Sequence, residues 1–321
     1  MTSKVALITG ITGMDGTLLA NFLLSKGYKI VGLFRNKPTN NFSKIDGVTY
    51  IESDLFDLDA IDDLLFEYKF DEIYNLGAQT FIDFSWKHPE YTLKVNGLSV
   101  IKFLNYIKNN SPKTKFFNAS SSEVFAGTLD CPQNENTLYS PKNPYGTSKT
   151  FANNMIKNYR EKYKIFACSG ILYTHESTLR NDHYVSKKIT NGVAKIHLGI
   201  SNKIILGDIE ATRDWLSAKD VIVAMWMILQ QDTPDDYIVS SGITRKVKDF
   251  LSCAFNVIGI NDWEKYVTIE QDLIRPKEPI KIVGNNLRLT SIGWSPKISF
   301  NQMIEEMVLF DIKKLKYEQL R

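Results

Sequence analysis

An alternation most constrains how this chain can fold. From the N-terminus to Leu172, short apolar runs take turns with stretches of helical periodicity. Residues 5–9 read as a buried strand, 10–16 as a turn, and 17–25 as a helix closed by Gly27. Strands follow at 28–34 and 48–51, a helix at about 58–68, and a strand at 72–76. A long helix at about 90–109, a strand at 115–119, a helix at about 145–163 and a strand at 165–172 complete the series. Strands separated by helices pair in parallel and need helices on both faces. The expected fold is therefore α/β, a doubly wound parallel sheet.

Beyond Tyr173 the alternation lapses. Residues 174–182 are polar and irregular, and a helix runs to about Leu198. A short strand is expected at 203–206, a helix at 218–230 and one more sheet strand at 236–240. Residues 246–321 mix helices with short connections and end in a charged tail or solvated helix end. This predicts two domains. One comprises residues 1–172 plus about 219–245. The other, smaller and α/β, comprises about 173–218 plus 246–321.

Composition narrows the partners. A net charge of +3 with scattered basic residues does not call for nucleic acid. No run approaches the ~18 apolar residues of a membrane span. The apolar run before Gly10 is also too short for a signal peptide, so no membrane partner is expected. Cys131, Cys168 and Cys253 suit neither a disulfide framework nor a metal site, and are expected to be small apolar fillers in a reducing cytoplasm. His88, His175, His183 and His197 lack metal-ligand spacing, so no metal is expected.

Three motifs carry chemistry. Gly10-x-x-Gly13-x-x-Gly16 follows the first strand and opens the first helix, where backbone N–H groups can approach a pyrophosphate. Arg35 ends the second strand, where an acidic residue would bind the adenosine ribose. It suits a 2′-phosphate, or else it is a solvent-facing side chain. Asp54 and Leu55 are placed to meet the adenine, with a helix cap as the alternative for Asp54. Leu76, Gly77, Ala78 and Asn96 lie where the cofactor's outer edge would pass. Tyr145 and Lys149, four apart on one helix face, set a lysine cation beside a phenol and so favour the phenolate. Pro144 opens that helix, and Ser120, Ser121, Ser122 and Glu123 end the preceding strand. Ligands of such sheets bind beyond the carboxyl ends of the strands, so Ser121 and Tyr145 should meet over a nicotinamide.

Together these motifs resemble the extended short-chain dehydrogenase/reductase superfamily, which implies a Rossmann-type sheet. Gly10-Ile11-Thr12-Gly13-Met14-Asp15-Gly16, His175-Glu176-Ser177, Arg213-Asp214-Trp215, Ala218-Lys219-Asp220 and Arg275-Pro276-x-Glu278 resemble the GDP-mannose 4,6-dehydratase group. The resemblance implies that Ser121 hydrogen-bonds the sugar 4-hydroxyl, Glu123 removes the C5 proton, and Tyr145 is the base at the 4-hydroxyl. Lys149 would hold the nicotinamide ribose and lower the Tyr145 pKa. It implies tightly bound NADP rather than NAD. The cofactor set is Gly10, Thr12, Gly13, Met14, Asp15, Gly16, Arg35, Asp54, Leu55, Leu76, Gly77, Ala78, Tyr145, Lys149, His175 and Arg180. Arg180 falls in a loop that in relatives reaches a neighbouring subunit's cofactor. Substrate contacts are expected from Gln79, Ser85, Ser122, Thr174, Glu176, Val185, Lys188 and Gly207. Lys195, Arg213, Arg275 and Glu278 would bind the nucleotide diphosphate and guanosine ribose.

The implied reaction is a GDP-sugar 4,6-dehydration in which hydrogen removed at C4 is returned at C6 as water leaves. A GDP-sugar epimerase or 4-keto reductase is the alternative, and Glu123 argues against it. Met14 stands where the family has glutamine, and Thr174 where it has asparagine; the stretch from Trp263 to Arg275 is short. These departures leave the sugar open among GDP-mannose, GDP-N-acetylglucosamine and GDP-manno-heptose. The resemblance also implies a homodimer or homotetramer, paired through the helices at 90–109 and 145–163.

Overall fold

A computed structural model describes residues 3–35, 44–273 and 282–320. Its main sheet is parallel throughout. In chain order the N-terminal elements are β1 (Val5–Thr9), α1 (Met14–Ser25), β2 (Lys29–Phe34), β3 (Val48–Glu52), α2 (Leu58–Glu67) and β4 (Glu72–Asn75). Then come α3 (Ile82–Lys87), α4 (Pro89–Leu93), α5 (Ser99–Asn110), β5 (Lys115–Ser121), α6 (Pro144–Tyr163) and β6 (Ala167–Leu172). With β10, introduced below, the strands lie in the order β10-β6-β5-β4-β1-β2-β3. The order reverses beside β1, and a crevice opens at the carboxyl ends of β1 and β4. Register aligns those ends: Thr9 pairs with Leu33 and Asn75, and Asn75 with Asn118. Two apolar layers sandwich the sheet, one built on Leu19, Leu23, Phe117 and Met225, the other on Leu64, Phe103, Phe116 and Ile156.

Two local differences from the sequence expectation concern the site. Helix α1 starts at Met14, so only the first half of the expected turn is a turn, and Asp15 and Gly16 are helical. The tightness is steric: a Cβ on Gly16 would lie 2.3 Å from the Gly10 carbonyl oxygen. The expected long helix is broken by a π-turn over Lys94–Leu98, between α4 and α5. One extra residue per turn brings Asn96 inward, buried, where its amide bridges the Gln79 backbone and the Ser148 hydroxyl.

The remaining elements are β7 (Thr174–Glu176), α7 (Val185–His197), β8 (Ile204–Leu206), β9 (Thr212–Ser217), α8 (Ala218–Leu229) and β10 (Tyr237–Val239). They are followed by β11 (Thr244–Lys246), α9 (Val247–Val257), β12 (Val267–Ile269), α10 (Leu287–Ser291) and α11 (Phe300–Gln319). Strand β10 joins the main sheet beside β6, as expected for the stretch around 236–240. Strands β11-β9-β7 and β12-β8 make two small sheets. The short strands at 174–176, 212–217, 244–246 and 267–269 were not expected. Three of them have only three residues, too brief to show a period, and the fourth, Thr212–Ser217, reads TRDWLS without an apolar run. The C-terminal stretch is helix α11 to Gln319, and its apolar stripe packs into a separate cluster with Val193, Phe250 and Trp215. Of the cysteines only Cys168 is a buried filler; Cys131 is exposed and Cys253 half-buried. Among the described residues no helix is long and apolar enough to cross a membrane.

Candidate active site

The glycine turn fits a dinucleotide. Gly10 has φ +69°, and a Cβ there would sit 2.9 Å from the Gly77 backbone, so β1 and the end of β4 approach closely only as glycines. Gly13 N-caps α1 without any side-chain cap bond, which leaves first-turn N–H groups and the positive helix end facing the crevice. Among the described residues, Asp15 Oδ1, Gln79 Oε1 and Ser120 Oγ are buried polar atoms with no hydrogen-bond partner. Leu55 is buried against Gly77. Asp54 makes a tight turn through Phe56 N (2.9 Å), and the cap of α2 is Asp57, which removes the helix-cap alternative for Asp54. Arg35 is exposed and donates to the Tyr91 hydroxyl at 2.7 Å.

Asp15 and His175 join this turn to β7. The Asp15 carboxylate meets His175 Nε2 at 2.9 Å, and Nδ1 of the same ring meets the Tyr173 carbonyl at 2.7 Å. A carbonyl and a carboxylate both accept, so the two contacts are both hydrogen bonds when both ring nitrogens donate, as they do in the imidazolium form. Burial opposes this, yet the Asp15 carboxylate holds the His175 pKa above its ordinary value. Burial likewise works against the Asp15 charge, but His175 and Arg180 hold its pKa below the usual carboxylate range.

The four catalytic candidates converge at the end of β5. The Tyr145 phenol hydrogen-bonds Ser121, whose Oγ also accepts the Glu123 N–H at 3.3 Å. Ser122 and Glu123 lie in a single 3₁₀ turn, Ser122–Phe125. Lys149 is buried, and its ammonium donates to the Ala119 carbonyl at 2.7 Å, 6.0 Å from the Tyr145 ring centre. Burial pushes the Lys149 pKa down to about 8. The expected phenolate is not favoured here. Burial raises the Tyr145 pKa, with Glu123 and Tyr184 adding to it, and the Ser121 hydrogen bond only partly opposes. The spacing argument anticipated the neighbour and missed the desolvation.

The expected substrate residues divide into two sets. Gln79 and Ser122 lie at the crevice with the catalytic group. Ser85 is fully buried and spends its hydroxyl on the Ile82 carbonyl at 2.6 Å, inside its own helix turn. Thr174 pairs in register with Trp215, two residues from Arg213 on β9. Val185 and Lys188 are exposed on the first turn of α7, and Lys195 is half-buried in its last turn. Gly207 packs its backbone against Leu273, where a Cβ would come within 2.4 Å of the carbonyl oxygen. Glu176 is 2% exposed and its carboxylate binds Arg180 Nε at 2.6 Å. Arg180 folds back on its own chain, against the His175 carbonyl and over the Tyr184 ring. A buried carboxylate four residues earlier supplies the reason. Arg275 and Glu278 lie outside the described residues.

Sequence reasoning passed over Asn143, Tyr184, Lys187 and Asp311. Asn143 before a proline is a legible helix cap; its second bond, to Glu123, is not. Tyr184 faces Thr80 and Phe81 across the cleft. Lys187 and Asp311 form a buried ion pair at 2.5 Å; Asp311 also accepts from Thr190, and Lys187 donates to the Thr178 carbonyl in the Arg180 loop.

Comparison with known proteins agrees with this geometry. Residues 7–307 match the family model described as GDP-mannose 4,6 dehydratase. GDP-mannose 4,6 dehydratase 1 of Arabidopsis thaliana is 37% identical over 335 residues, covering 99% of this chain and 92% of the relative. A UDP-glucose 4-epimerase from Thermotoga maritima superposes with a TM-score of 0.85 at 18% identity, covering 97% of this chain and 99% of that one. A dTDP-glucose 4,6-dehydratase from Bacillus anthracis, in complex with NAD, gives 0.83 at 18% identity, covering 99% and 100%. The two solved structures share the fold. Because the family model spans nearly the whole chain and the plant relative matches it end to end, this protein belongs to the GDP-mannose 4,6-dehydratase family.

Proposed function

We propose that the protein is a GDP-sugar 4,6-dehydratase, a hydro-lyase that forms a GDP-4-keto-6-deoxy sugar. The observation that carries the reading is the placement of a carboxylate, Glu123, two residues from Ser121 and beside the Tyr145 phenol. Oxidising an alcohol needs only a hydroxyl partner and a base. A third, acidic group has work only if a C–H bond next to the new ketone must break.

A nicotinamide held at the glycine turn would supply the hydride acceptor for C4 and the hydride source for C6. The residues do the rest. Ser121 binds the 4-hydroxyl, and Tyr145 removes its proton as the phenolate, the form that the nearby Lys149 ammonium supports against burial. Glu123 takes the C5 proton, made acidic by the C4 ketone, and protonates the hydroxyl leaving C6 as water. The proton that Tyr145 took from the 4-hydroxyl balances the one restored to C5, so Tyr145 and Glu123 end the cycle as they began it. One carboxyl acting as base and then acid needs an environment that supports both forms. Lys149 holds the ribose.

Arg35 supports NADP over NAD, since a guanidinium suits a 2′-phosphate. The division into residues 1–172 plus about 219–245 for the cofactor and about 173–218 plus 246–321 for the nucleotide sugar belongs to the same proposal. So does a cytoplasmic homo-oligomer paired through α5 and α6, for which light scattering is the check.

To test the reading, the protein is incubated with GDP-mannose, GDP-N-acetylglucosamine and GDP-manno-heptose without added reductant. Mass spectrometry should find loss of one water from at least one sugar. If none loses water while a GDP-keto-sugar consumes added NADPH, the protein is a reductase and the proposal fails.

A further inference from the structure

We infer that Asn143 is a positioning residue for the elimination step, holding Glu123 in place from the N-terminus of the catalytic helix. This rests on Glu123 being the C5 base.

Asn143 uses both ends of its amide. Its Oδ1 accepts the Gly146 N–H at 2.8 Å, which is the N-cap bond of α6. Its Nδ2 donates to Glu123 Oε2, also at 2.8 Å. A single planar group thus ties the carboxylate to the first turn of the helix that carries Tyr145 and Lys149. The two segments are drawn together elsewhere too. A Cβ on Gly146 would lie 2.7 Å from the Glu123 carbonyl oxygen, and the Ser140 N–H donates to the Val124 carbonyl at 2.7 Å. The Glu123 backbone is fixed by these contacts, and the Asn143 amide orients its side chain.

The chemistry suits an amide there. Serine, threonine and aspartate cap helices about as well as asparagine, but none offers a donor alongside the cap acceptor at that reach. A donor on one carboxylate oxygen fixes the plane of the group that takes the C5 proton. Such an effect belongs to proton removal and not to substrate binding.

The experiment uses Asn143→Ser and Asn143→Asp in the full-length protein, with Glu123→Gln alongside. Both Asn143 variants keep a good cap, so the thermal midpoint of Asn143→Ser should stay near wild type, and any loss in Asn143→Asp reports its repulsion from Glu123. In Asn143→Ser, kcat for water loss should fall roughly 10- to 100-fold, the size of a lost bond to a charged group, while KM stays within about 2-fold. Asn143→Asp should fall further, because it sets a second carboxylate against Glu123. The kinetic isotope effect with C5-deuterated substrate should rise in Asn143→Ser, since C5–H cleavage becomes slower than the other steps. If Asn143→Ser keeps wild-type kcat and isotope effect while Glu123→Gln is inactive, Asn143 is only a cap and the inference is overturned. If Glu123→Gln turns over as fast as wild type, the base assignment itself falls, and the role of Asn143 falls with it.

Discussion

The carboxyl edge of the main sheet and the small sheet β11-β9-β7 use their motif residues in opposite ways. At the edge, motif residues face the crevice. The Gly10–Gly16 turn presents bare N–H groups, and Ser121, Glu123 and Tyr145 meet one another there. In the small sheet, motif residues mainly hold the chain together. Asp214 accepts from Ser241, Gly242 and Gly284, and Trp215 is buried with Phe250. Asp220 accepts the Ile298 N–H, and its carbonyl takes the Trp294 indole. A motif therefore marks a reacting group where it sits at a strand's carboxyl end, and a joint where it links segments distant in sequence. The two regions should fail differently when cut.

The largest effect is expected at the sheet edge. Glu123→Gln should lower kcat for water loss by roughly 10²–10⁴-fold, the usual range for a general acid–base, with little change in unfolding midpoint. A stability loss of equal weight would erase the contrast between the regions.

Next is the buried pair that joins α7 to α11, the helices packed in one apolar cluster with Trp215 of that small sheet. Lys187→Ala strands Asp311 without its cation and should cost about 3–5 kcal/mol, read by denaturant unfolding. Lys187→Met with Asp311→Leu should recover most of that loss, because the remaining partner is no longer a buried charge. A Lys187→Ala protein as stable as wild type would show that this pair is not a joint.

A smaller effect is expected at the cofactor rim. Arg35→Ser should weaken NADP binding by roughly tenfold or more and leave NAD almost unchanged, since only the 2′-phosphate loses a charged partner. Calorimetry with both dinucleotides decides it; equal losses for the two would place Arg35 away from the phosphate.

The smallest is a pH effect. Burial lowers the Lys149 pKa to about 8, below its ordinary value, so its charge is present below that pH and is lost as pH rises through it. Affinity for the cofactor should decline across the same interval in wild type, and Lys149→Arg should bind without that decline. Flat affinity across pH 8 in wild type would mean the ammonium does not bear on the ribose.

The two regions were also unequally legible in the sequence. Strands β1 to β6 announced themselves because each is a run of four to seven residues bounded by turns, and their order placed Gly10, Ser121 and Tyr145 at one edge. The π-turn was invisible, because Asn96 turns inward for a bond to Ser148 that only the packed fold supplies. The direction of the Tyr145 shift was missed for a related reason: the lysine four residues on is visible in the sequence, and the burial of the phenol is not. In the second region β7 and β11 are three residues long, and β9 has no apolar run to read. Glu176 and Arg180, both expected at ligands, pair with each other across one turn of chain.

The central claim is that hydrogen removed at C4 returns to the same molecule while Glu123 drives out water. Substrate deuterated at C4, mixed with unlabelled substrate and converted without reductant, tests it most directly. The account predicts a 4-keto product that has lost one water and carries the deuterium at C6, with labelled and unlabelled molecules unmixed. Deuterium lost to solvent, scrambled between molecules, or found back at C4 with no water lost would contradict it.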